Sequence, residues 1–329
     1  MIKLCTHIHI SSNKNNVYWG RTLDTSFNPF DIGSKIVIVP KNFMLKTQSE
    51  PWKTKYSFLG ISLSGSTLFF DGVNEKGLAG GLLFLNACTW DKKENIEKEG
   101  LIAINSGEIV PWILSNFESV DDIKENISKV AVTGDDISSL GELGKGNPIT
   151  AHYTFTDKMG NSVVLEPTNN GRFKVFDNTV GVMANDPTFD WHMTNLSNYI
   201  QVQGFNKNQK TLNKNTVITP ISNGTGMLGL PGDYTSPSRF VRATYLRSFI
   251  GDISDEEAPV CLFSLLNSVW VPKGVERFNK DKEDSDFSSY MCAYDQNLGK
   301  LYLRTFNKIN TMEFSLKNGK DYELVTYSI

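Results

Sequence analysis

Met1-Ile2-Lys3-Leu4-Cys5-Thr6-His7-Ile8-His9-Ile10, followed after a polar turn by Tyr18-Trp19-Gly20-Arg21-Thr22-Leu23-Asp24, is the stretch around which the rest of the chain is read. A thiol stands close to the amino terminus, and an Arg and an Asp three residues apart follow on the next apolar run. Residues 3–10 alternate as a strand does, placing Cys5, His7 and His9 on one face and Thr6, Ile8 and Ile10 on the other. A thiol is only slightly ionised at neutral pH and needs a base or a cation to become a good nucleophile. An α-amine titrates at about 7.7–8.0, so a cysteine that is itself the first residue carries its own base. The reading is that Cys5 becomes the first residue of the mature chain, with its thiol as nucleophile and its freed amine as base. Arg21 then favours the thiolate and Asp24 orients the amine. The alternative is a small buried residue in a first strand, as most free cysteines are.

Outward from this stretch, the first third reads as β. Runs at 3–11, 17–24, 34–40, 56–63, 67–71 and 78–85 are rich in β-branched or aromatic residues. Asn74-Glu75-Lys76-Gly77 predicts a hairpin turn. Over 107–131 the period becomes helical, through Glu108, Ile109, Trp112, Ile113 and Phe117, and Ser119 caps a second helix. A Gly-rich loop at 141–147 precedes strands at 151–156, 162–166, 173–177 and 180–183. Residues 190–203 read as a helix, 204–216 as an exposed loop or assembly arm, and 238–250 and 255–268 as helices. A charged loop at 278–286 leads to three last strands at 288–295, 299–305 and 311–316. Strands in blocks with helices in blocks between them indicate an antiparallel α+β architecture, here read as one domain.

The totals narrow the function. With 36 acidic and 33 basic residues the net charge is −3, which offers no field for nucleic acid or an anionic membrane. No apolar run reaches the length of a membrane span, and the first residues turn polar too soon for a signal peptide, so a cytoplasmic protein is expected. Cys5, Cys88, Cys261 and Cys292 form no close pairs, which argues against a disulfide framework. Cys5, His7 and His9 are three potential zinc ligands on one strand face, but His152 and His192 stand isolated and complete no ligand set. Neither isolated histidine has an identifiable Asn or Asp partner for Cys–His chemistry. Gly224-Thr225-Gly226-Met227-Leu228-Gly229 matches a dinucleotide fingerprint, yet Leu230-Pro231-Gly232 prevents the helix that fingerprint must open.

Several motifs in order along nearly the whole chain resemble one family. They are Cys5-Thr6, Tyr18 to Asp24, Asp71-Gly72-Val73-Asn74-Glu75-Lys76-Gly77-Leu78, Val182-Met183-Ala184-Asn185-Asp186-Pro187 through Trp191, Gly229 through Arg239-Phe240, and Tyr294-Asp295. The sequence resembles the choloylglycine hydrolase family, bile salt hydrolases and penicillin V acylases, among the N-terminal nucleophile hydrolases. The resemblance implies a four-layer αββα sandwich and amide hydrolysis through a thioester acyl-enzyme, with no cofactor and no metal. Carried over by motif, Cys5 is the nucleophile, Arg21 sits beside the thiol, Asp24 holds the amine, Asn185 donates to the oxyanion and Arg239 completes the charged network. It also implies a homotetramer, with 190–220 as the arm.

Two departures from the family pattern bear on substrate. Residues 1–4 precede the cysteine, so the amine is freed only by cutting Leu4–Cys5, leaving 5–329 as the amidohydrolase domain. Bile salt hydrolases usually carry Asn, and penicillin V acylases Tyr, where this chain has Phe84; Asn86, two residues on, would share its face of a strand. Leader and Phe84 together place the chain closer to the penicillin V acylases, so the expected reaction is penicillin V to phenoxyacetate and 6-aminopenicillanate. Alternatives are a bile salt hydrolase, an N-acyl homoserine lactone acylase, or an unprocessed binding protein of the same fold.

Overall fold

Two sheets, antiparallel but for one parallel pair in the larger, face each other with helices on their outer sides. The structure, a computed structural model, describes residues 2–63, 67–136, 148–280 and 284–329. The expected Gly-rich loop at 141–147 and part of the charged loop at 278–286 lie outside the described residues.

The smaller sheet has seven strands, in the spatial order Val182–Met183, Ile2–Ser11, Val17–Thr25, Ser285–Asp295, Lys300–Thr305, Met312–Ser315, with Glu276–Arg277 beside Ser285–Asp295. Its centre pairs the first strand with the second, Cys5 opposite Leu23, and the second with Ser285–Asp295, Arg21 opposite Cys292. These strands are buried along both faces because helices Ser236–Phe249 and Ala258–Asn267 cover one side and the larger sheet the other. The alternation read from the sequence holds. Thr6 meets the helical layer through Arg239, while His9 meets Thr156 of the larger sheet.

The larger sheet has ten strands, ordered Val325–Tyr327, Lys35–Val39, Phe58–Ser62, Phe69–Asn74, Ala79–Phe84, Ala151–Thr156, Ser162–Asn169, Arg172–Asp177, Val130–Thr133, Ile102–Asn105. Helix Ile109–Asn116 packs on its outer face against Phe69–Asn74 and Ala79–Phe84. The result is the expected four-layer αββα sandwich.

Local chemistry explains the elements that were foreseen. In the hairpin after Phe69–Asn74, Asn74 Oδ1 accepts from the Lys76 and Leu78 amides, and Gly77 takes φ +81°, which a side chain would resist. Ser119 caps Val120–Asn126 by accepting from the Asp122 amide at 3.1 Å.

Other expectations need correction. The helical block 107–131 closes early, and Val130–Thr133 is a strand paired in parallel with Ile102–Asn105 across the intervening helices. The larger sheet is therefore not antiparallel throughout, since a crossover of that length permits a parallel return. The exposed loop expected at 204–216 is partly an exposed hairpin, Lys210–Asn213 with Thr216–Ile218, which runs past its end. After Gly224 the chain makes a single 3-10 turn at Thr225–Met227, in line with the expectation that no dinucleotide-site helix opens there. Strand Ala79–Phe84 ends at Phe84, so Asn86 lies beyond it in an exposed turn and does not share its face.

Candidate active site

Cys5 is fully buried in the first strand, on the strand face that is turned to the larger sheet. Arg21, one strand away, donates from Nη2 to Cys5 Sγ at 2.6 Å. Its guanidinium is fixed by three carbonyls: Leu82 O at 2.6 Å and Phe70 O at 3.2 Å from Nη1, and Thr22 O at 3.1 Å from Nε. Burial pushes the Cys5 thiol above its ordinary range, and the Arg21 charge pulls it back down. Burial also works against Arg21, but the surrounding thiol, phenol and carboxyl groups outweigh it and hold Arg21 protonated.

The Cys5 nitrogen is an intact peptide amide, continuous with Leu4, and donates to Asn185 Oδ1 at 2.6 Å. The expected pairing of Asp24 belongs to the freed amine, a state in which this nitrogen is no longer a peptide amide. A planar amide has one hydrogen, and it goes to Asn185. The Asp24 carboxylate instead accepts from the Ser288 hydroxyl at 2.6 Å. Burial raises Asp24 to about 6, opposed by Arg239, Ser288 and Arg21 in turn.

Asn185 is shared among three partners. Its Nδ2 donates to Phe84 O at 2.9 Å, which leaves one hydrogen free, and its Oδ1 accepts from Arg239 Nη2 at 2.8 Å as well as from Cys5. Arg239, fully buried at the start of Ser236–Phe249, donates to Cys5 O at 2.6 Å, to Thr6 Oγ1 and to Tyr234 O. Its first-turn position brings the guanidinium over the first strand. Phe84 is half-buried at its strand end, while the Asn86 amide donates to both Asp186 carboxylate oxygens at 2.9 Å. Cys5, Arg21, Asp24, Asn185, Arg239 and Phe84 thus converge, and Asn86 stands beside them through its backbone.

Sequence reasoning missed the residues that hold this group. Tyr290 and Tyr294 donate to Asp71 at 2.5 and 2.6 Å, and Asp71 lies 3.7 Å from Arg21 Nη1. The alternation Tyr290, Cys292, Tyr294 was the available signal. The isolated histidines hold the Asn185 segment. His152 Nε2 donates to Ala184 O at 2.9 Å, with Nδ1 against Glu166, and His192 Nε2 donates to Asn185 O at 2.8 Å. His7 donates to Gly20 O at 3.1 Å and stacks on Trp19. Among the described residues no three His, Cys, Asp or Glu side chains group as metal ligands.

A buried thiol under a guanidinium is an arrangement that can serve nucleophilic attack on an acyl carbonyl. The comparisons agree with that chemistry. A bile salt hydrolase/transferase of Clostridium perfringens is 31% identical over 332 residues, 98% of this chain and 96% of the relative. The solved structure of a conjugated bile acid hydrolase from the same species superposes with a TM-score of 0.86 at 28% identity, covering 99% of this chain and 97% of that one. A penicillin V acylase of Pectobacterium atrosepticum is 25% identical over 244 residues, 68% of this chain and 57% of the relative. The profile of the linear amide C–N hydrolases, choloylglycine hydrolase family, matches residues 5–327, and the chain belongs to that family of hydrolases.

Proposed function

We propose that the chain, once Leu4–Cys5 is cut, hydrolyses the amide of a conjugated bile acid through a thioester on Cys5. The observation that carries the mechanism is the Arg21 guanidinium 2.6 Å from Cys5 Sγ, both groups fully buried. The freed Cys5 amine takes the thiol proton, and sulfur attacks the substrate carbonyl carbon. Collapse breaks the C–N bond, the amine leaves with that proton, and water then cleaves the thioester. Asn185 Nδ2 and the neighbouring amides stabilise the oxyanion, a contribution worth about 3 kcal/mol for one such donor. Asp24 becomes a partner for the amine once that nitrogen is no longer a planar amide.

Substrate is argued from extent of likeness. Two bile salt hydrolases match at 31% identity along 98% and 99% of the chain, the Pectobacterium penicillin V acylase at 25% along 68% of it. This replaces penicillin V, the first expectation, as the preferred substrate. Phe84 supports the second reading: its ring gives the end of Ala79–Phe84 an apolar rim suited to an aryloxy acyl group. The chain is further proposed to be cytoplasmic and to assemble as a homotetramer through the 190–220 arm. No helix among the described residues is long and apolar enough to cross a membrane.

The test is amine release from glycocholate and penicillin V in parallel, on protein whose N-terminus has been read by mass. Faster release from glycocholate is expected. Preference for penicillin V would shift the assignment to the acylases, and no release from either by protein starting at Cys5 would end it.

A further inference from the structure

Arg21 lies between a thiol and a carboxylate, and all three groups are fully buried. Nη2 donates to Cys5 Sγ at 2.6 Å, and Nη1 stands 3.7 Å from Asp71 Oδ2. Asp71 belongs to Phe69–Asn74 of the larger sheet and is clasped from the smaller one. Tyr290 donates to its Oδ2 at 2.5 Å, Tyr294 to its Oδ1 at 2.6 Å, and Cys292 Sγ lies 3.8 Å from Oδ1. Two phenols on one carboxylate are more than packing requires, because each is a buried donor aimed at a charge.

The arrangement makes two anions compete for one guanidinium. While Cys5 is a thiol, Arg21 and Asp71 neutralise each other. Removing the thiol proton adds a negative charge that Arg21 must offset as well. Each phenol hydrogen bond takes up part of the Asp71 charge and leaves more of Arg21 for the sulfur. We propose that Asp71, held by Tyr290 and Tyr294, is a positioning group that divides the Arg21 charge between itself and Cys5, and so sets how readily the thiol gives up its proton. Asp71 acts through Arg21 and not on substrate. The inference draws its functional meaning from Cys5 as the nucleophile, but thiol ionisation is measurable whether or not any amide is cleaved.

Other charges face the same thiol. Asp24 approaches from Val17–Thr25 and Arg239 from Ser236–Phe249; His7, the next residue on that face of the first strand, sits near Arg21 and is neutral. All three stay in place in the variants below, so their influence cancels in the comparison.

The experiment follows thiolate absorbance against pH in wild type, Asp71→Asn, and the pair Tyr290→Phe/Tyr294→Phe, each read against its own Cys5→Ala counterpart. Asp71→Asn removes the competing anion, so the Cys5 midpoint should fall by about one pH unit, a roughly tenfold rise in thiolate at fixed pH. The phenylalanine pair keeps the rings, returns the full carboxylate charge to Arg21, and should raise the midpoint by about as much. Opposite shifts are a readout that a merely structural role does not produce. Unshifted midpoints, or shifts in one direction, overturn the proposal. Should Asp71→Asn fail to fold, the phenylalanine pair decides alone, and a midpoint unchanged or lowered overturns it. Glycocholate release is scored separately, so a wild type without turnover tells against the substrate reading while the opposite shifts still stand.

Discussion

At Asp24, stability and function pull apart. Burial lifts its carboxyl from an ordinary 3.8 to about 6, even with Arg239, Ser288 and Arg21 nearby. The raised group favours folding fully below about pH 4, where both states hold the proton, and this contribution is lost as pH rises through about 6, at a cost of about 3 kcal/mol. Asp24→Asn keeps an acceptor for Ser288 and escapes that cost. Its melting temperature should therefore gain on wild type by several degrees between about pH 4 and pH 8, while hydrolysis is lost. A gap that does not widen with pH would refute the assignment of a buried, costly charge. For Cys5→Ala the expected result is a loss of hydrolysis of about a thousandfold or more, with the leader still attached if Cys5 cuts its own preceding bond. Full activity in that variant would overturn the mechanism. Cys5, Arg21 and Asp24 were readable as a set because Arg21 and Asp24, three residues apart, lie on the strand that follows and pairs with the one carrying Cys5.

Elements impose a second level of constraint, seen where the two sheets touch. An added Cβ at Gly81 would come within 2.7 Å of Phe70 O, 3.0 Å of Asp71 Cβ and 3.0 Å of the Trp19 ring. The neighbouring Leu82 carbonyl accepts from Arg21, so anything that spreads the strands there moves the guanidinium away from Cys5. Gly81→Ala should cost about 1–3 kcal/mol, and activity should fall more than the melting temperature implies. Unchanged turnover would separate Arg21 placement from sheet spacing. The Asn185 segment is held by its own device, two imidazoles on consecutive carbonyls. Burial holds His192 down at about 4, so it supports folding fully above about pH 6.5 and that support is lost as pH falls through 4. His192→Gln retains a donor for the Asn185 carbonyl but no titration, and should flatten the acid limb of melting temperature against pH. An equally steep limb would place the acid sensitivity elsewhere. Sequence reading located the Asn74–Gly77 turn because its cause is local. It could not separate Val130–Thr133 from the preceding helices, because that strand exists through pairing with Ile102–Asn105.

The whole molecule supplies what neither residues nor elements announce. Tyr290 and Tyr294 reach Asp71 across 219 and 223 positions of sequence, so only the closed sandwich reveals the clasp on Asp71. The four-layer architecture itself was legible, since motif order along the chain carried it, while the contacts that tune the thiol were not. Assembly belongs to this scale too. The segment after Phe189–Asn195 carries Ile200 at 87% exposure, Phe205 at 70% and Ile221 at 103%, and its hairpin is exposed along both strands. A two-stranded hairpin on its own is marginally stable in water, and exposed apolar residues concentrated on one segment mark a contact surface. If this arm joins copies of the chain, light scattering should give a tetramer, and Phe205→Glu with Ile221→Glu should release smaller species with the fold of each subunit intact. Because Cys5, Arg21 and Asp71 are buried within one chain, those smaller species should keep the thiol midpoint of wild type. A wild type that is monomeric at all concentrations would remove the arm from assembly, and a midpoint that moves on dissociation would mean that a second copy helps to close the site.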